Sequence, residues 1–120
     1  MSSMDAVVNE LVKSSGVRGC AVATEDGMMI ASALQGRFEP DVVAGLASFV
    51  IATTRRTMGQ DGEDRLDRFV VHATHGKLIL TDIGRAFLIV ITDQFVHLDP
   101  ILETVAAATK RLRQLAQIHG

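Results

Sequence analysis

Residues 66–92 read LDRFVVHATHGKLILTDIGRAFLIVIT. Three apolar runs are separated by His75-Gly76 and Gly84-Arg85, each with the length and composition of a two-residue hairpin turn, the second with glycine at its first central position. The segment predicts three consecutive strands at about residues 66–74, 77–83 and 86–92, joined tightly enough to be antiparallel. The last run, AFLIVIT, does not alternate, so both of its faces should be covered and the strand should lie centrally.

The flanking sequence supplies the rest of the architecture. Residues 59–64, GQDGED, form a polar, glycine-bearing loop, and before it a helix is predicted over about residues 41–58, with Pro40 suited to its first turn. Further upstream, VRGCAVAT at residues 17–24 and MMIAS at residues 28–32 flank Asp26-Gly27, a strong hairpin signal. Met4, Val7, Val8, Leu11 and Val12 share one stripe of a short N-terminal helix; Ser2 and Asp5 stand at capping-box spacing and Gly16 provides the stop. At the other end Asp99 is the expected N-cap and Pro100 the first helical residue of a helix whose stripe is Leu98, Ile101, Leu102, Val105, Thr109, Leu112 and Ala116. Lys110, Arg111 and Arg113 complement the dipole at its far end. The expected fold is therefore a single α/β (α+β) domain over residues 1–120, ordered α-β-β-α-β-β-β-α. One five-stranded, mostly antiparallel sheet lies between helices in three layers.

Composition narrows the function classes. Apolar residues make up 48% of the chain and ten of its 120 residues are glycine; together they exceed the roughly 45 to 50% usual for a globular domain. Aromatics are only 4%, all phenylalanine, so the excess is aliphatic and small. A formal net charge of −2 with 22% charged residues excludes a disordered chain and carries no basic excess for nucleic acid. The apolar runs fall short of the roughly 18 to 20 residues a bilayer crossing needs, so no membrane insertion is expected. The N-terminus lacks the features of a signal peptide, and a cytoplasmic address is the expectation.

The helix at residues 41–58 is the most informative element. Val42, Val43, Leu46, Phe49, Val50 and Thr53 share one face, wide enough to cover a sheet. The opposite face carries Ala44, Ala47, Ser48, Ile51, Thr54, Arg55 and Met58, and from residue 42 to 54 no position is charged. A surface helix of a monomer does not read this way. The second, small-residue face is therefore expected to meet a second copy of the chain. Arg55 and Arg56 fit either a further partner contact or compensation of the helix dipole.

The pattern of a short helix, SGVRGCAVAT at residues 15–24, the Asp26-Gly27 turn, an alanine-rich helix, GKLIL at residues 76–80, the turn at Gly84 and FLIVI at residues 87–91 resembles the roadblock/dynein light chain family over about residues 4–116. The resemblance implies a profilin-like fold and a homodimer paired through the second helix and the third strand, with the sheet continuous across the pair. Carried onto this sequence, it assigns Ala44, Ala47, Ser48, Ile51 and Thr54, with Phe69 and Val71 on the strand at residues 66–73, to the dimer interface. Arg55, Arg56 and Met58 are the corresponding candidates for contact with a further partner. Prokaryotic members are similar to gliding-type regulators that bind Ras-like small GTPases, so the resemblance implies a non-enzymatic scaffold or regulator that binds such a GTPase and modulates its nucleotide hydrolysis. The alternative is a small-molecule sensory module with a ligand pocket over the sheet.

Catalytic, metal and cofactor chemistry finds little support. His72 and His75 lie three apart on or beside a strand and point to opposite faces, His97 and His119 are isolated, and no Cys pair or carboxylate stands at ligand spacing. Cys20, the single cysteine, reads as a small buried hydrophobe in a central strand. Gly16-Val17-Arg18-Gly19 precedes a strand instead of following one, which excludes a dinucleotide fingerprint. The acidic loop lacks the alternating ligands of a calcium site, and no carboxylates pair for acid–base work. No cofactor, no metal and no catalytic residue is expected.

Overall fold

The computed structural model describes residues 3–36, 38–58, 67–84 and 86–119. Along the chain come α1 (Ser3–Leu11), β1 (Val17–Thr24), β2 (Met29–Leu34), α2 (Pro40–Met58), β3 (Arg68–Ala73), β4 (Gly76–Asp82), β5 (Ala86–Asp93) and α3 (Leu98–His119), in the expected order. The strands form one sheet in the order β2-β1-β5-β4-β3. All four pairings are antiparallel. The non-alternating strand β5 is central, as its sequence requires; Ile89 is flanked by Ala21 of β1 and Leu80 of β4.

The turns show where glycine is needed and why. Gly27, at φ 92°, closes a three-residue loop in which its N–H donates to the Thr24 carbonyl at 3.1 Å and the Thr24 N–H donates to Met28 at 2.8 Å. A register shift between Val22 and Ala23 sets Ile30 out of the ladder, and β2 continues to Leu34, beyond the expected end at residue 32. The turn between β3 and β4 is Thr74-His75, not His75-Gly76: Ala73 pairs with Gly76. Gly76 belongs to the strand, where a Cβ would run into the Thr92 carbonyl oxygen of β5. Its signal was a close backbone approach and not a turn. At the next turn Gly84 has φ 108° and the Ile83 N–H donates to Ala86 at 3.0 Å, as a two-residue connection demands. Arg85, the loop at residues 59–64, Leu66, Ser2 and the side chain of His119 lie outside the described residues.

Each sheet face carries its own core. On one, Val7, Val8 and Leu11 of α1 and Ile101, Val105, Ala108 and Leu112 of α3 pack on Cys20, Val22, Ile79, Leu88 and Val90. On the other, Ala44 and Ala47 of α2 meet Ala21, Ala23, Leu80 and Ile89. The helices thus divide two against one. Each Val, Ile or Leu enclosed this way contributes about 1.5–3 kcal/mol, and the first face holds most of them.

Candidate functional site

The floor beneath α2 decides how that helix lies. Ala21 and Ala23 present only methyl groups, so the helix approaches closely through residues that are equally small, and Ala44, Ala47 and Ile51 become buried. The residues expected at the dimer interface on this helix therefore turn inward. Ala44, Ala47 and Ile51 are no more than 2% exposed within one chain and have no surface to offer a second copy. The larger residues expected to cover the sheet are outside: Val42 is 64% exposed, Leu46 50% and Phe49 68%. They recur at three- and four-residue spacing, with Gly45, Ala52 and Thr53 exposed beside them. Both faces are apolar, as the sequence indicates, but the small-residue face is the one that packs closest on the sheet, with Val43 and Val50 of the expected sheet-covering face half-buried beside it.

The helix is pinned in this rotation by two polar contacts. The Ser48 hydroxyl donates to the Glu25 carbonyl at 2.7 Å, so this interface candidate is spent on the turn between β1 and β2. Arg55 donates from both Nη atoms to the Glu25 carboxylate, each at 2.7 Å, and its guanidinium lies 5.8 Å from the centre of the Phe87 ring. Hydrogen bonding to Glu25 holds Arg55 more firmly protonated than usual. Arg55, expected to reach a partner, instead fastens α2 to its own sheet. Thr54 is half-buried and returns its hydroxyl to the Val50 carbonyl at 2.7 Å. Arg56 and Met58 are exposed at the end of the helix.

Beside α2 the same sheet face stays partly open. Phe69, Leu78 and Ile91, with Val43 and Val50 of the helix, pack around this core while remaining only half-buried. Val71 on β3 is half-buried as well. Among the described residues β3 is an edge strand, paired with β4 alone. An apolar helix face, a half-open apolar floor and a free strand edge therefore adjoin one another. Val42, Leu46 and Phe49, expected to cover the sheet, are instead the exposed apolar residues of the helix; their bulk against the alanines of β1 was the available signal.

Chemistry of other kinds is sparse. Among the described residues no group of three or more His, Cys, Asp or Glu side chains stands close enough to hold a metal ion. His72, His75 and His97 are exposed. Cys20 is fully buried in β1, and burial pushes its thiol up to about 12. No helix among the described residues is long and apolar enough to cross a membrane. Aliphatic side chains fill the middle of both sheet faces, where the alternative reading expected a ligand pocket.

The Roadblock/LC7 domain model matches residues 4–93. The uncharacterized proteins MJ1340 and MJ0714 of Methanocaldococcus jannaschii are each 32% identical to the chain, over 93% and 95% of its length and 98% and 97% of their own. The fold is similar to that of Myxococcus xanthus MglB, with a TM-score of 0.89 at 21% identity, covering 98% of this chain and 97% of that one. It is similar too to the gliding protein MglB of Thermus thermophilus, with a TM-score of 0.83 at 20% identity, covering 95% and 88%. Profilin IB of Acanthamoeba castellanii gives a TM-score of 0.66 at 16% identity over 94% and 98%, which agrees with the profilin-like expectation.

Proposed function

The chain belongs to the Roadblock/LC7 domain family, and from that premise we propose that it is a non-enzymatic homodimeric platform that binds a Ras-like small GTPase and modulates its nucleotide hydrolysis. The observation that carries the dimer is the exposed face of α2: Val42, Leu46 and Phe49 standing in water on one stripe. Contiguous apolar surface of this kind marks an interaction site. A second copy would cover it by laying its own α2 across the stripe and its own β3 along the open edge, extending the sheet and closing over Phe69 and Val71.

The GTPase half of the reading rests on family membership and on the fold shared with MglB. Within the chain it is supported by Arg56 and Met58, exposed where α2 ends. A cation beside an adaptable apolar side chain suits a protein contact.

Sedimentation of the full chain should give a dimer, and Leu46→Glu or Phe49→Glu should return a folded monomer. A wild-type monomer at micromolar concentration, or a dimer indifferent to both substitutions, would remove the α2 interface. Capture of small GTPases from the same genome, loaded with GDP or a GTP analogue, tests the partner; retention of none in either state would remove the GTPase reading and leave the dimer standing.

A further inference from the structure

On the sheet face opposite α2, at the open end of α3, lies a cleft of about 320 Å³ bounded by β3, β4 and α3. Ala106, Thr109, Lys110, Arg113 and Gln114 form its helical wall, at the three- and four-residue spacing of one helix face. Arg68 and Thr81 form the sheet wall; they are direct partners in the β3–β4 ladder and so project to the same side. The volume is at the small end of the range for ligand sites.

The floor is polar and unsatisfied. Thr81 is 3% exposed and Thr109 4% exposed, and among the described residues neither hydroxyl has a hydrogen-bond partner. A buried hydroxyl left unpaired costs about 1–3 kcal/mol, and here both residues belong to the walls of one opening, Thr81 on the sheet and Thr109 on the helix. Above them the charge is one-sided. Arg113 is held in place by donating Nε and Nη2 to the Asp82 carbonyl, at 3.1 and 2.8 Å, and reaches Asp67 at 3.3 Å. Arg68 and Lys110 form no ion pair among the described residues. Among the described residues three cations thus face a single carboxylate, which already serves Arg113. Unpaired hydroxyls beside unpaired cations fit acceptor oxygens bearing negative charge, and they do not fit a cation or an apolar guest.

We propose that this cleft binds a small soluble oxyanion, a phosphate or carboxylate group, with the Thr81 and Thr109 hydroxyls donating to it from the floor and Arg68, Lys110 and Arg113 neutralising it. The site is on the other side of the sheet from α2, so its ligand is distinct from whatever covers the α2 stripe, although β3 borders both surfaces. The ligand would make this face of the domain responsive to a metabolite while the opposite face serves a protein.

The test is a titration of the full chain, at ionic strength held constant with sodium chloride, using inorganic phosphate in one arm and malonate in the other. The Thr81 and Thr109 methyl resonances report it. At least one arm should give saturable shifts at both methyls; phosphate alone assigns a phosphoryl group, malonate alone a carboxylate, and both a general oxyanion site. Arg68→Ala combined with Lys110→Ala should weaken that binding about tenfold or more, given the strength of hydrogen bonds to charged groups. Thr109→Val, which keeps the shape of the side chain, should also weaken binding while the protein melts no lower. Absence of saturable shifts in both arms would overturn the proposal and leave the cleft to water. Undiminished binding by the double variant would overturn it equally.

Discussion

Arg55 illustrates how little a residue's charge says about its use. From the sequence it fits a partner contact or the helix dipole; in the fold its two bonds to Glu25 and its position over Phe87 bind α2 to the sheet. The pair is partly exposed, so its net contribution is at the modest level of surface ion pairs, and its value is orientation more than energy. Cys20 is the contrasting case, a residue whose reading from sequence as a small buried hydrophobe agrees with its full burial. Burial pushes its thiol from an ordinary 9.0 to about 12. The folded thiol keeps its proton where the unfolded thiol has lost it. Across that window the unfolded state binds fewer protons, and stability falls as pH rises from about 9 toward 12. A full shift of this size corresponds to a loss on the order of 4 kcal/mol. Urea unfolding of the wild type and of Cys20→Ala, compared at pH 8 and pH 10.5, isolates the effect: the wild type should lose more stability than the variant between the two. Equal losses would mean that Cys20 does not remain protonated in the fold.

At the scale of elements, α2 separates what the sequence makes legible from what it hides. The order of helices and strands, the central place of β5, the three-layer arrangement and the turns at Gly27 and Gly84 all follow from period, glycine and proline. Those signals are local. The rotation of α2 is not, because both faces of the helix are apolar and periodicity only ranks a polar face against an apolar one. What decides it is the partner surface: Ala21 and Ala23 favour close approach by Ala44 and Ala47, and Ser48 and Arg55 lock the result. The Gly76 turn is misplaced for a similar reason, since only the neighbouring β5 backbone shows why that residue lacks a side chain. The rotation makes a prediction opposite to the one the sequence suggests. Ala47→Leu should overpack the α2–sheet contact and cost about 1–3 kcal/mol in urea unfolding. A neutral Ala47→Leu would return the helix to the orientation read from the sequence.

At the scale of the molecule, one asymmetry accounts for both proposed surfaces. α1 and α2 lie mainly against β1 and β2, whereas β3 has β4 as its chief neighbour. The β3–β4 half of the sheet is thus thinly covered. On the α2 side this leaves Phe69, Val71 and Leu78 half-open beside an exposed helix stripe, and on the α3 side it leaves the cleft over Thr81 and Thr109. A surface that is apolar and bordered by a strand with one open edge is suited to a second copy, whereas a small polar recess is suited to a small anion. The apolar share of the composition then has a physical outlet, because part of it is stored on a surface that one chain cannot bury. If association completes the fold in this way, stability depends on protein concentration, since only the folded state dimerises. The wild type should therefore melt at a temperature that rises steadily with concentration. Val71→Lys on β3 and Leu46→Glu on α2 should each abolish that slope, because both act on one interface. A wild-type melting temperature that stays flat while sedimentation still reports a dimer would mean that the two copies meet without adding stability, and the α2 stripe would then need another occupant.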